Sequence, residues 1–263
     1  MENAFTAFLN QMLFTVGVIV LFGFLIAVCN KTFYKNMGGF GKSACYITGC
    51  IGTPIHELAH ALMCLIFGHK IVEIKLFQID SKDGTLGYVN HSYNKKNLYH
   101  NIGNFFIGIA PSLVISLVLY LLSLWLVPNM AAEMFSYTKG ITTADGIGSV
   151  FKAVLFSVGA FFSFADQGKW WIFLLIGVFL TLHMTLSGAD IKGAWSGLVF
   201  LLLLFLVVDV ILALVSVTAL DAFTRFWLSA GGYLTSLLIL SLIICVIVLL
   251  LSYLFRLLFK KRK

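Results

Sequence analysis

Six histidines and four glutamates are spread through 263 residues, yet three of these ten fall in one short stretch, His56-Glu57-Leu58-Ala59-His60. On a helix, residues four apart lie on one face, about one turn from each other. Two imidazoles so placed can reach a single Zn²⁺, and the glutamate between them sits beside the open coordination position. That geometry suits metal-assisted hydrolysis, with His56 and His60 as ligands and Glu57 as general base. Pro54 lies where it can shape the same helix.

The surroundings of the motif are apolar. Hydrophobic residues make up 60% of the chain and charged residues only 11%, against about 25% in an ordinary soluble domain. Lipid-facing surface must itself be apolar, so the expected class is an all-α polytopic membrane protein: one membrane domain over 1–263, in a multi-pass integral protein of a bacterial cytoplasmic membrane. An ionisable group inside a span is costly without a function or a partner, which strengthens the metal reading. The net charge of +7 comes largely from Lys and Arg near segment ends. It suits anionic lipid headgroups and a bilayer partner, not nucleic acid. Cys29, Cys45, Cys50, Cys64 and Cys245 form no CxxC pair and read as small buried hydrophobes. With no basic region before it, the apolar run 13–28 reads as a retained helix rather than a cleaved signal.

A helical span takes about 20 mainly apolar residues. About six are expected: 12–30, 43–67 with the motif, 102–127, 170–186, 194–219 and 234–259. The run 151–165 is apolar but short and reads as interfacial or half-inserted. Between the second and third spans the pattern changes to strand formers. Residues 71–79 and 85–89, with Asp83-Gly84 as the turn signal, predict a small β-hairpin after the motif helix. With six spans and the N-terminus inside, the lysines at 70, 75, 82, 95 and 96 and the basic end at 256–263 face the cytosol, as the positive-inside rule asks. The motif then lies towards the cytosol. The loop 31–42, with three lysines, falls on the other side, against the rule.

These features resemble the site-2 protease family of intramembrane zinc metalloproteases. The motif helix is itself apolar, a hairpin follows it, Asn104-Phe105-Phe106-Ile107-Gly108-Ile109-Ala110-Pro111 resembles the family's Gly-Pro element, and an Asp stands late in the chain at a break between spans. The resemblance covers about 43–205; the helices at 12–30 and 234–259 look like additions. It implies zinc, an Asp as third ligand, and a membrane-spanning protein or membrane-associated peptide as substrate, held by strand addition to the hairpin, with Asn104 as a further contact to its backbone. The family's Asn-Pro-Asp-Gly-like element is absent. Asp190, in Leu186-Ser187-Gly188-Ala189-Asp190, is the closest match. Ser187 three residues before it also makes Asp190 a helix-capping candidate, and the two roles are compatible.

Other candidates stay open. Asp209, buried in an apolar run, calls for a polar partner more than a metal. His183 reads equally as ligand, neighbour of a ligand, or structural histidine. His69, His91 and His100 read as solvated loop residues. Glu73 and Glu133, the only glutamates after the motif, lie in extramembrane segments, which counts against a glutamate third ligand. Two further functions compete: a metal-dependent membrane hydrolase of a non-protein substrate, and a non-catalytic scaffold or transporter that keeps the fold. The intact Glu57 speaks against the last. Oligomeric state is not legible.

Overall fold

A computed structural model describes residues 2–79, 84–138 and 146–259. The chain is mainly helical. The order is α1 (Glu2–Met12), a π-helical turn (Leu13–Gly17), α2 (Val18–Met37), a 3-10 turn (Gly38–Phe40), α3 (Gly41–Ile66), β1 (Lys70–Lys75), β2 (Tyr88–Ser92), α4 (Leu98–Leu126), α5 (Pro128–Thr138), α6 (Gly146–Phe162), α7 (Gly168–Thr181), α8 (Gly188–Val215) and α9 (Val217–Phe259).

Among the described residues, four helical stretches are long and apolar enough to cross a membrane: Asn3–Ile66, Leu98–Leu126, Gly188–Val215 and Val217–Leu258. The first is interrupted at the 3-10 turn, so the loop expected at 31–42 is mostly helix. The expected span 170–186 is instead a 14-residue helix, α7, that stops at Thr181. The run 151–165 forms α6, also apolar but short. A count of six spans is therefore not confirmed. Lys82 and the basic residues 260–263 lie outside the described residues, as does Asp83 of the expected turn.

The hairpin forms as expected but with shifted limits. β1 and β2 pair antiparallel, Lys75 opposite Tyr88 and Lys70 opposite Ser92, with an irregularity between Ile71 and Glu73. Beyond the ladder, Gln78 N–H donates to the Leu86 carbonyl at 2.7 Å. The core lies where α2, α4, α7 and α9 meet, around fully buried Ile115, Leu119, Phe173, Leu180 and Leu238. A smaller cluster, including Phe105, Ile109, Ala194 and Leu201, packs α4 on α8. The second cluster holds the starts of α4 and α8 together, and Ile107 of α4 and Asp190 of α8 both reach His60 of the motif helix.

Candidate metal centre

His56, Glu57 and His60 lie in the C-terminal half of α3. Each histidine is oriented by a carbonyl from another element. His56 Nδ1–H donates to the His183 carbonyl at 2.7 Å, and His60 Nδ1–H donates to the Ile107 carbonyl at 2.7 Å. Both carbonyls are available for sequence reasons. Pro111 lies inside α4, four residues after Ile107. A proline has no N–H to give to the carbonyl four residues back, so Ile107 keeps its acceptor for His60. His183 follows the end of α7, beyond the helical ladder.

With both Nδ1 atoms donating, each neutral ring presents a lone pair at Nε2. The two Nε2 atoms are 3.1 Å apart. Two lone pairs cannot hydrogen-bond to each other, whereas a cation between them satisfies both. Asp190 completes the group: Oδ1 is 3.2 Å from His60 Nε2 and Oδ2 is 3.9 Å from His56 Nε2. In a tetrahedral site with bonds of about 2.0–2.2 Å, neighbouring donors stand roughly 3.3 Å apart. The donor atoms of all three residues lie within 4.8 Å of one another, so imidazole, imidazole and carboxylate fit one small divalent cation.

Asp190 also starts α8. Its Oδ2 accepts from Ser187 N–H at 2.7 Å and its own N–H donates to Ser187 Oγ at 3.2 Å, a full capping box. The cap and the approach to the histidines thus occur together. Gly108 makes the approach possible: a Cβ there would collide with the Asp190 carbonyl and lie 2.7 Å from Ala194 Cβ.

Glu57 is buried, 6% exposed, and lines two cavities. One, of about 430 Å³, holds His60, Asp190, Asn104 and the inner strand β2. The other, of about 310 Å³, is walled by Asn30, Tyr34, Thr53 and His183. Gly87 belongs to both and passes over Glu57, where a Cβ would stand 2.7 Å from Glu57 Cγ.

The remaining candidates fall elsewhere. The His183 ring lies against α3, near Thr48 Oγ1 at 2.9 Å and Thr53 Oγ1 at 3.3 Å. The Thr48 hydroxyl donates to the Ala44 carbonyl, so His183 Nε2–H donates to Thr48. His183 therefore serves the site through its backbone carbonyl. Asp209 is fully buried away from the metal group, with Gln11 Nε2 donating to its Oδ1 at 3.0 Å. Glu73 and Glu133 accept from Tyr88 and Tyr137 and are not in the metal group.

The expectation of solvated loop histidines is not met. His69 is only 4% exposed, His91 borders the larger cavity, and His100 lies in α4. No spacing rule in the sequence marks them, because it is the packing of the hairpin on α3 and the hydrogen bonds of His69 to His91 and to the His100 carbonyl that bring them together.

Residues 49–151 match the model of a family described as "Putative zincin peptidase". That segment contains His56, Glu57, His60, the hairpin and α4, and stops before Asp190. No curated protein and no solved structure is matched by the chain. The family match supports a zinc metallopeptidase, and with the donor group formed by His56, His60 and Asp190 it makes zinc the cofactor.

Proposed function

We propose that this protein is an intramembrane zinc metallopeptidase of the site-2 protease type, hydrolysing a peptide bond in or near a membrane-spanning segment. The observation that carries the reading is the place of the donor group: His56, Glu57 and His60 lie on a helical stretch long and apolar enough to cross a membrane. An intramembrane cluster of ionisable groups is a functional arrangement by default. The ligands are His56, His60 and Asp190. The lysines of the segment between α3 and α4, Lys70, Lys75, Lys95 and Lys96, support a site towards the cytosol.

Bound zinc supplies Lewis acidity to the scissile carbonyl and to an attacking water. Glu57, open to both cavities, takes a proton from that water on a carboxylate oxygen and passes it to the leaving amine. The carbonyls of Ile107 and His183 hold the imidazoles in one tautomer and one orientation. A substrate segment must be unwound to be cut. The unpaired edge of β2, whose Tyr88, Val89, Asn90 and His91 line the larger cavity, suits an added strand. Asn104 is buried at the same cavity and suits a backbone amide of that strand.

The test is cleavage of single-span peptides by the zinc-loaded full chain in lipid nanodiscs. Cuts within or beside the span are expected, with a loss of at least about 100-fold in Glu57→Gln while zinc remains bound. Zinc retention with cleavage of soluble peptides alone would refute intramembrane action but keep the peptidase. Turnover unaffected by Glu57→Gln would refute the mechanism.

A further inference from the structure

The larger cavity has a titratable wall that the mechanism above does not use. His91, on β2, borders it together with His56, Glu57, His60 and Asp190. Behind His91 lies His69, the second residue after Phe67 at the end of α3. The His69 ring is stacked on Tyr93 at 4.8 Å and 13°, and it is nearly inaccessible to solvent.

The hydrogen bonds of this pair have one consistent reading. His69 Nε2 is 2.9 Å from the His100 carbonyl, which can only accept, so His69 Nε2 carries the hydrogen. A neutral His69 then has a lone pair at Nδ1. His69 Nδ1 is 3.0 Å from His91 Nδ1, so His91 Nδ1–H is the donor of that bond. The bond order is fixed from the α4 backbone outward: carbonyl, His69, His91. What remains on His91 is the lone pair of Nε2, which has no protein partner among the described residues. Burial holds both rings below the ordinary histidine value; at His69 the hydrogen bond to the His100 carbonyl opposes it in part, and at His91 the neighbouring His69 and His60 add to it. Both are therefore neutral near pH 7, as the bond order requires.

We propose that His91 is a substrate-contacting residue of this site, locked by His69 into the Nδ1–H tautomer so that its Nε2 accepts a hydrogen bond from a backbone N–H of the bound peptide. Which ring nitrogen of a histidine carries the hydrogen is set by the hydrogen bond that the other nitrogen makes. His69 is the positioning residue that fixes one, in the way a carbonyl fixes each metal-binding histidine. An acceptor here complements the metal group, which draws the substrate by its carbonyl oxygen. A chain laid along β2 offers N–H groups alternating with carbonyls, so it can meet both. This inference rests on the peptidase reading.

Two measurements on the full chain in nanodiscs test it. The first is ¹⁵N-histidine NMR of the metal-free protein. His91 should show the Nδ1–H tautomer, and His69→Phe, which keeps a ring against Tyr93 but removes the acceptor, should abolish that preference. An Nε2–H tautomer, or a signal indifferent to His69→Phe, overturns the lock.

The second uses the zinc-loaded Glu57→Gln protein and blocked leucine–alanine peptide amides, each N-methylated at one backbone position. His91→Asn keeps a donor for His69 but removes the Nε2 acceptor. It should weaken the unmethylated peptide by about 2- to 10-fold, the worth of one hydrogen bond. It should have no effect on the one peptide whose methyl group removes the contacting N–H. Equal weakening of every peptide, or none, overturns the contact. If the unmethylated peptide does not bind before His91 is changed, the peptidase reading itself fails and takes the contact with it. Failure of His91 alone appears as unchanged binding in His91→Asn.

Discussion

At the residue scale the decisive group is Asp190, because one carboxylate serves two purposes that substitution can separate. Its Oδ2 caps α8 while Oδ1 faces His60. Asn at this position still offers an oxygen to Ser187 N–H but brings no negative charge to the metal. Asp190→Asn should keep the stability of the fold within about 0.5 kcal/mol while weakening zinc by more than the 10- to 100-fold typical of groups behind the ligands. Asp190→Ala should lose the zinc and in addition about 1 kcal/mol of helix capping. Zinc titration beside thermal unfolding of the metal-free protein separates the two effects; equal zinc affinity in Asp190→Asn and the unaltered protein would remove Asp190 from the ligand set.

At the element scale, two helix–helix relations matter. The first runs through Pro111. With Ala there, an N–H returns to α4 and competes with His60 for the Ile107 carbonyl. Pro111→Ala should therefore make the metal-free helix more stable and zinc binding about 10-fold weaker, opposite signs that calorimetry and zinc titration read separately. The second joins α1 to α8. Gln11 Nε2 donates to both Asp209 Oδ1 and Thr224 Oγ1, while Asp209 Oδ2 and Gln11 Oε1 have no partner among the described residues. Asp209→Asn supplies a donor that can join those two orphaned positions and should match or exceed the original stability. Asp209→Ala leaves the Gln11 amide short of one acceptor and should cost about 1–3 kcal/mol. A stability loss in Asp209→Asn equal to that in Asp209→Ala would count against this account.

How much of this was legible in the sequence follows from the range of each interaction. The pairing of His56 with His60 is set by one helical turn, so it could be read directly. The hairpin was visible in its strand formers, but its register was not. Residues 85–87, expected within the return strand, instead precede β2 and pass over Glu57, where Gly87 admits the carboxylate. The partner that Asp209 needed was foreseen as a need, yet Gln11 lies 198 residues away, and no local pattern names it. His183 was open as a neighbour of a ligand, but its action through a backbone carbonyl, which every residue carries, was not legible. The Pro111 signal was present in the sequence, four places after a residue whose carbonyl is used, but only the fold shows which side chain takes that carbonyl.

At the scale of the whole molecule, the donor group brings together parts that apolar packing and a few hydrogen bonds already join. His56 and His60 come from α3, their orienting carbonyls from α4 and the segment after α7, and Asp190 from the start of α8. Zinc that binds this arrangement and not the unfolded chain would raise the unfolding midpoint, by about 4 kcal/mol of stability at a thousandfold excess over its dissociation constant. His60→Ala should abolish that response. A midpoint that zinc leaves unmoved would mean that the donors do not act together.

The donor set also has a direction in time. His56 and His60 are made early, but Asp190 follows His60 by 130 residues in a chain of 263. While α4 to α7 are being made, the nascent chain carries only His56 and His60 of the three donors, with Glu57 between them. If Asp190 is the third ligand, the donor set is complete only once the first turn of α8 and its capping box have formed.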